Sequence, residues 1–288
     1  MLLLTVYGRE GAKVVRFDAY SATTQAAKSE QMVQVLMDAG GLSSFEKITQ
    51  GKGFHTFGER IGIKDHTGTE WGSVMWGGRQ GDRVMIEVKG ERTPKAVEAL
   101  RSRFPHRCTR VDACADFDAP RAFESLYRAC KAVKRGHRII GGKAGDWDDF
   151  PEKGRTLYLG AKTSPTRMRL YEKGKQSEFV HLERPNWTRI EVQVRPAKDA
   201  KDVFASLDPL QVWGAARWTR DLAASVLKEH VDPHPAGTTW QLSERDAALG
   251  WMCRQYGSHL VSLAQDLGGW DCVGLTLREM LDEQSKGR

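Results

Sequence analysis

The chain has 288 residues, 40% of them hydrophobic and 28% charged, which suits a soluble globular fold of one large or two modest domains and excludes a disordered one. No apolar run reaches the roughly 20 residues that a membrane-spanning helix needs. A net charge of +7 says little about partners by itself, but residues 151–200 hold 11 Lys/Arg against 6 Asp/Glu, a net of +5, so the excess is local. A polyanion drawn there would lose affinity as salt rises. Five cysteines (Cys108, Cys114, Cys130, Cys253 and Cys272) form an odd set without a CxxC pair. That argues against a disulfide framework or structural zinc and for a reducing cytoplasm.

Met1–Val6 lacks the basic flank and cleavage pattern of a signal peptide and is expected to be a strand. Residues 14–22 form the next strand, and 29–39 a short helix ended by glycines. Between Gly53 and Gly90 lie several strand-like pieces separated by glycine turns. Thr93-Pro94 opens a helix to about Phe104, with Thr93 as cap and Pro94 in the first turn. A strand over 110–118 follows, then a helix from Asp118 to about Lys134, a polar glycine-rich loop over 136–154, and strands over 156–162, 166–173 and 188–195. Past Pro196 the character turns helical: an amphipathic helix from Lys201 to about His230, a break at Asp232–Gly237, a helix capped by Ser243, and a last one over 275–285. Ser243–Gly269 could alternatively form part of a helix-turn-helix. The expected fold class is α+β: a central antiparallel or mixed sheet with helices on one face. Residues 1–199 would be its catalytic region and 200–288 a helical C-terminal region.

Three of these strands alternate polar and apolar residues. Successive strand residues point to opposite faces, so Arg167, Arg169, Tyr171 and Lys173 share one face, as do Arg189, Glu191, Gln193 and Arg195, and Arg110, Asp112, Asp116 and Asp118. One side of the sheet would thus enter the core while the other carries carboxylates, arginines and a tyrosine, a set suited to metal-assisted phosphoryl transfer. Clustered carboxylates repel unless a cation sits between them, and oxygen ligands suit Mg²⁺ or Mn²⁺. Asp112, Asp116 and Glu191 are the candidate ligands, with Glu87 as an extra. Tyr171 is the candidate nucleophile, and the neighbouring Arg169 and Lys173 would favour its phenolate. No His-hydrophobe-His triplet or Gly-Lys-Ser/Thr phosphate loop occurs.

Arg-Val-Asp-Ala-Cys-Ala-Asp (110–116), Thr-Leu-Tyr-Leu-Gly (156–160), Arg-Leu-Tyr-Glu-Lys (169–173) and Arg-Ile-Glu-Val (189–192) stand in the order seen in the replication initiation factor family, the rolling-circle initiators of small plasmids and filamentous phages. Phe17–Thr23 and Ile86–Gly90 resemble further strands of that family, so the likeness spans about residues 14–195. It implies a tyrosine- and divalent-metal-dependent enzyme that nicks one strand of origin DNA, stays linked to the 5′ phosphate and later rejoins the ends. Tyr171 matches the nucleophile position, and Asp112, Asp116 and Glu191 the acidic ones. Arg167, Arg189 and Arg195 would clamp phosphates. The implied partners are single-stranded and duplex origin DNA, a host helicase and a host polymerase, and relatives of this kind are often dimers; no membrane is involved. Two rivals stay open: a non-catalytic DNA-binding regulator, and a metal-dependent nuclease in which water attacks.

Overall fold

The computed structural model describes residues 15–40, 47–237 and 244–286; the strand expected at Met1–Val6 and the Ser243 cap lie outside them. In chain order the elements are β1 (Val15–Thr24), α1 (Ser29–Gly40), β2 (Lys47–Lys52), β3 (Glu59–Lys64), β4 (Glu70–Trp76), β5 (Val84–Lys89), α2 (Thr93–Arg103), β6 (Arg107–Asp118), α3 (Ala122–Gly136), β7 (Gly141–Ala144), β8 (Thr156–Leu159), β9 (Thr166–Tyr171), β10 (Trp187–Val194), α4 (Ala200–Phe204), α5 (Arg217–Val226), α6 (Glu244–Leu267) and α7 (Trp270–Lys286). The ten strands form one sheet in the order β2-β3-β4-β5-β1-β6-β10-β9-β8-β7. Every pairing in it is antiparallel.

Alternation makes this sheet two-faced. Val111, Ala113, Ala115 and Phe117 of β6, with Ile190 and Val192 of β10, enter a single core together with the apolar stripes of α1, α2, α3 and α5. In α1 that stripe is Met32, Val35, Leu36 and Ala39, the i, i+3, i+4, i+7 spacing of a helix buried on one side. Gly72 of β4 leaves room for it, since a Cβ there would sit 3.1 Å from Leu36 Cδ1. Helices on one face of an antiparallel sheet leave the other face free to be polar.

Four local features differ from the sequence reading. β2 was not expected; its burial is low throughout, so no apolar alternation marks it. Part of the expected loop over 136–154 is the edge strand β7, built from two glycines, Lys143 and Ala144. The expected long helix after Lys201 is interrupted at Asp208-Pro209 and resumes through a 3-10 turn, Gln211–Ala215, which places Trp213 fully in the core. Thr93 is not a cap: Arg92 precedes the helix, and the buried Thr93 hydroxyl donates to the Asp18 carbonyl at 3.1 Å. Asp18 is the extra residue at a register shift between β1 and β6, so this hydrogen bond pins a β-bulge.

The chain divides into two compact units, Met1–Thr238 and Thr239–Arg288. α4, the 3-10 turn and α5 pack on the sheet and on α3, and so belong to the first. The helical region after residue 200 is therefore shared between the units. In the second unit α6 runs unbroken to Leu267 and packs against α7 after Gly268-Gly269.

Replacing Thr93 by valine keeps its shape and removes the donor to Asp18. We expect a loss of about 1–3 kcal/mol in urea unfolding from the unsatisfied buried carbonyl; an unchanged midpoint would show that the bulge does not need this bond.

Candidate active site

Strand pairing arranges the polar face in rows, because directly paired residues share a face. One row is Tyr171–Arg189–Asp116, the next Tyr158–Arg169–Glu191–Cys114–Arg16, and a third Arg167–Gln193–Asp112. Arg110, Ser21, Glu87 and Ser73 continue the face across β6, β1, β5 and β4. Tyr171 therefore lies on the same side as the three expected acids. Lys173 lies just past the end of β9, in a 3-10 turn.

The rows differ in what they can do. In the first, Arg189 is 1% exposed and closes a fork on Asp116, with Nε to Oδ1 and Nη2 to Oδ2 both at 2.7 Å, while Nη1 reaches Asp18 Oδ1 at 2.6 Å. Trp187 Nε1 donates to Asp116 Oδ1 at 2.9 Å, and Arg16 lies 3.3 Å from Oδ2. Burial alone would raise the Asp116 pKa, yet the Arg189 hydrogen bonds and charge hold it below the usual carboxylate range. Lys173 sits over this cluster, its Nζ 4.4 Å from the Phe179 ring and 4.7 Å from that of Trp187. Burial first, and the Arg189 charge second, lower its pKa to about 8.

The other end is more open. Arg110, Tyr158, Arg167, Arg169, Glu191 and Gln193 line a pocket of about 90 Å³. Glu191 is 3% exposed and accepts from Arg169 Nη2 at 2.8 Å; burial, and then the neighbouring Asp112 charge, push its pKa up to about 7. Asp112, 1% exposed, accepts from Arg110 Nε at 2.9 Å and from Gln193 Nε2 at 3.2 Å. Glu87 takes a hydrogen bond from Ser21 at 3.3 Å and lines an adjoining cavity of about 450 Å³ with Arg83, Arg110, Arg195 and Lys201.

The structure thus brings Asp112 and Glu191 together and sets Asp116 apart in its own ion-pair lattice. Among the described residues no group of three or more His, Cys, Asp or Glu side chains is placed to hold a metal ion. The donors of the Asp112–Glu191 pair are all oxygens, which fits Mg²⁺ or Mn²⁺ better than zinc. Tyr171 is 5% exposed, with the Arg169 guanidinium 4.6 Å from its ring centroid. Burial and the Glu191 charge raise its pKa, so the expected phenolate is not favoured: Arg169 covers the ring face, and Lys173 lies against aromatics. Glu172 points away and accepts from the Arg155 backbone N–H and Nε at 2.9 Å each, anchoring the end of β9. Sequence reasoning assigned no role to Arg16, Asp18, Arg110 or Tyr158. Arg110 and Tyr158 sit in strand alternation that was visible, whereas Asp18 reaches Arg189 from a bulge that no periodicity shows.

The structure is thus an antiparallel sheet with helices on one face and arginines and paired carboxylates on the other. The family model described as replication initiation factor matches residues 107–253, and the chain belongs to that family. Among solved structures it is similar to a rolling circle replication initiator protein from Geobacillus stearothermophilus, at 16% identity over 69% of this chain and 83% of that one, with a TM-score of 0.45. No curated protein matches. Among the described residues no helix is long and apolar enough to cross a membrane.

Arg189→Met would leave the half-buried Asp18 and Asp116 without their shared cation, Arg16 remaining 3.3 Å from Asp116, and should cost about 3 kcal/mol of stability; a loss below about 1 kcal/mol in denaturant unfolding would remove Arg189 as the anchor. A second prediction concerns pH. The Lys173 pKa, about 8 when folded, lies below the ordinary lysine value, so the unfolded chain binds more protons above pH 8 and stability rises there. The parent should gain stability relative to Lys173→Met from about pH 8 to about pH 10.5, and the difference should be flat below that window. A gap independent of pH would contradict the assignment.

Proposed function

We propose that this chain is a rolling-circle DNA replication initiator that nicks one strand at an origin with Tyr171 and a divalent cation, forming a 5′-phosphotyrosyl link that is later rejoined. The observation that carries the reading is the placement of two buried carboxylates, Asp112 and Glu191, on neighbouring strands within one arginine-lined face that also holds Tyr171. Family membership supports it. Asp112 and Glu191 would hold Mg²⁺ or Mn²⁺, which supplies polarisation of the scissile phosphate. Asp116, expected as a third ligand, is assigned to orienting Arg189.

Arg167 and Arg195 clamp phosphates beside the site. Arg189, first expected among these clamps, is enclosed and already paired with two aspartates, so its role here is to position the strands. Arg169 balances the charge that builds on phosphorus; Lys173, expected to share that role, is enclosed against Phe179 and Trp187. As the phenol oxygen bonds to phosphorus, the bond from phosphorus to the 3′ oxygen breaks. The phenolic proton leaves to solvent and the 3′ oxygen takes one up, so one phosphodiester is exchanged for another and the ends can be rejoined. Origin DNA, a host helicase and a polymerase are the partners this reading implies, in the cytoplasm, with a homodimer as one form the chain could take.

The enclosure of Tyr171 favours one second reading, a nuclease in which water attacks and Tyr171 is structural. A labelled single-stranded origin oligonucleotide incubated with protein and Mn²⁺ and run on a denaturing gel separates the two. A covalent adduct lost in Tyr171→Phe, with nicking lost in Asp112→Asn and Glu191→Gln, is expected. Cleavage without an adduct supports the nuclease, and an adduct that vanishes only in Tyr158→Phe moves the nucleophile one strand over.

A further inference from the structure

On the side of the sheet away from the candidate site, α3 and the edge strand β7 enclose a cavity of about 620 Å³ lined by Tyr127, Lys131, Lys134, Arg135, Ile139, Gly141, Gly142, Lys143 and Leu157. Leu157 alternates with Tyr158 on β8, so the two cavities open on opposite faces. Four of the nine lining residues are cations and none is acidic.

Lys131, Lys134 and Arg135 come from one side of α3, three and four residues apart. Lys143 reaches in from β7, its Nζ 5.8 Å from the Tyr127 ring centroid, and Lys131 approaches the same ring at 5.4 Å. Among the described residues none of the four pairs with a carboxylate. The one acid in the first turn of α3, Glu124, is held by Arg155 at 2.8 Å. Four cations gathered without counter-charge repel one another, and a chain of phosphates relieves that repulsion while releasing its own counterions. Gly141 and Gly142 are both exposed, and a Cβ on Gly142 would meet open space, so a sugar-phosphate backbone could approach the edge closely.

We propose that this groove is a second nucleic-acid site that takes the phosphate backbone of duplex DNA flanking the nicked segment, the path passing round the β7 edge from one face to the other. The inference rests on the reading of the chain as a DNA-processing enzyme. The groove contributes affinity without reading sequence, as phosphate contacts do.

The test uses the full chain, the quadruple variant Lys131→Ala, Lys134→Ala, Arg135→Ala and Lys143→Ala, and a control that removes the exposed lysines Lys28, Lys52, Lys95 and Lys228. A fluorescent duplex of arbitrary sequence is titrated at several salt concentrations, and nicking is measured on a single strand just long enough to span the cut. The groove variant should bind the duplex at least about tenfold more weakly, its slope of log affinity against log salt falling by about 3–4, while nicking of the short strand stays within about twofold of the parent. An unchanged slope, or an equal loss in the control, overturns the proposal. So does a groove variant that loses short-strand nicking together with duplex binding. Failure of the parent to nick would instead count against the enzymatic reading, because the duplex titration does not depend on it.

Discussion

The polar face depends on one guanidinium. Arg189 lies between Asp116 of β6 and Asp18 of the β1 bulge, and the three residues join the central strands β1, β6 and β10 from the side opposite the core. A buried cation is costly unless its donors are satisfied, and here a bidentate fork and a third contact satisfy it. Removing Arg189 takes from both aspartates the cation they share. That dependence fixes the spacing of the strands from which Asp112 and Glu191 project. The Thr93 hydroxyl enters the same arrangement by holding the carbonyl of Asp18 from the helical layer.

The face is graded. Towards Asp116 the charges are matched and roofed by Phe179 and Trp187, with the Lys173 ammonium against both rings. Gly174 permits that roof, because any side chain there would collide with the Arg184 carbonyl. Towards Asp112 the cations are less enclosed: Arg169 and Arg110 each hold one acid while keeping part of their surface exposed. An arginine in that position can exchange a carboxylate partner for a phosphate. The enclosed end, which also holds Tyr171, and the more exposed end lie two residues apart along β10 and four along β6.

Much of this was legible from alternation alone. The three charged strands, their shared face and the segregation of Leu170, Ile190 and Val192 to the core follow from a period of two. What stayed hidden depends on contacts that no local pattern encodes. β2 has no buried row to announce it, and β7 has only glycines, a lysine and an alanine. The Asp18 bulge breaks the period where it matters most. The division of the acids into a pair and a separately bound third followed from partner geometry, since Asp112 and Asp116 look equivalent in the sequence. The helix break at Asp208-Pro209 was signalled by the proline, although the apolar periodicity on either side concealed it.

Strand order also sets when the molecule can begin to work. β1 pairs with β6, and β6 with β10, so the middle of the sheet closes only after Val194 has joined the chain. Contacts this distant along the polypeptide form late and slowly. A nascent polypeptide would hold β6 and β9 before it held β10, the strand that joins them. Until β10 is made, nothing lies between β6 and β9 to bring their polar rows into one face.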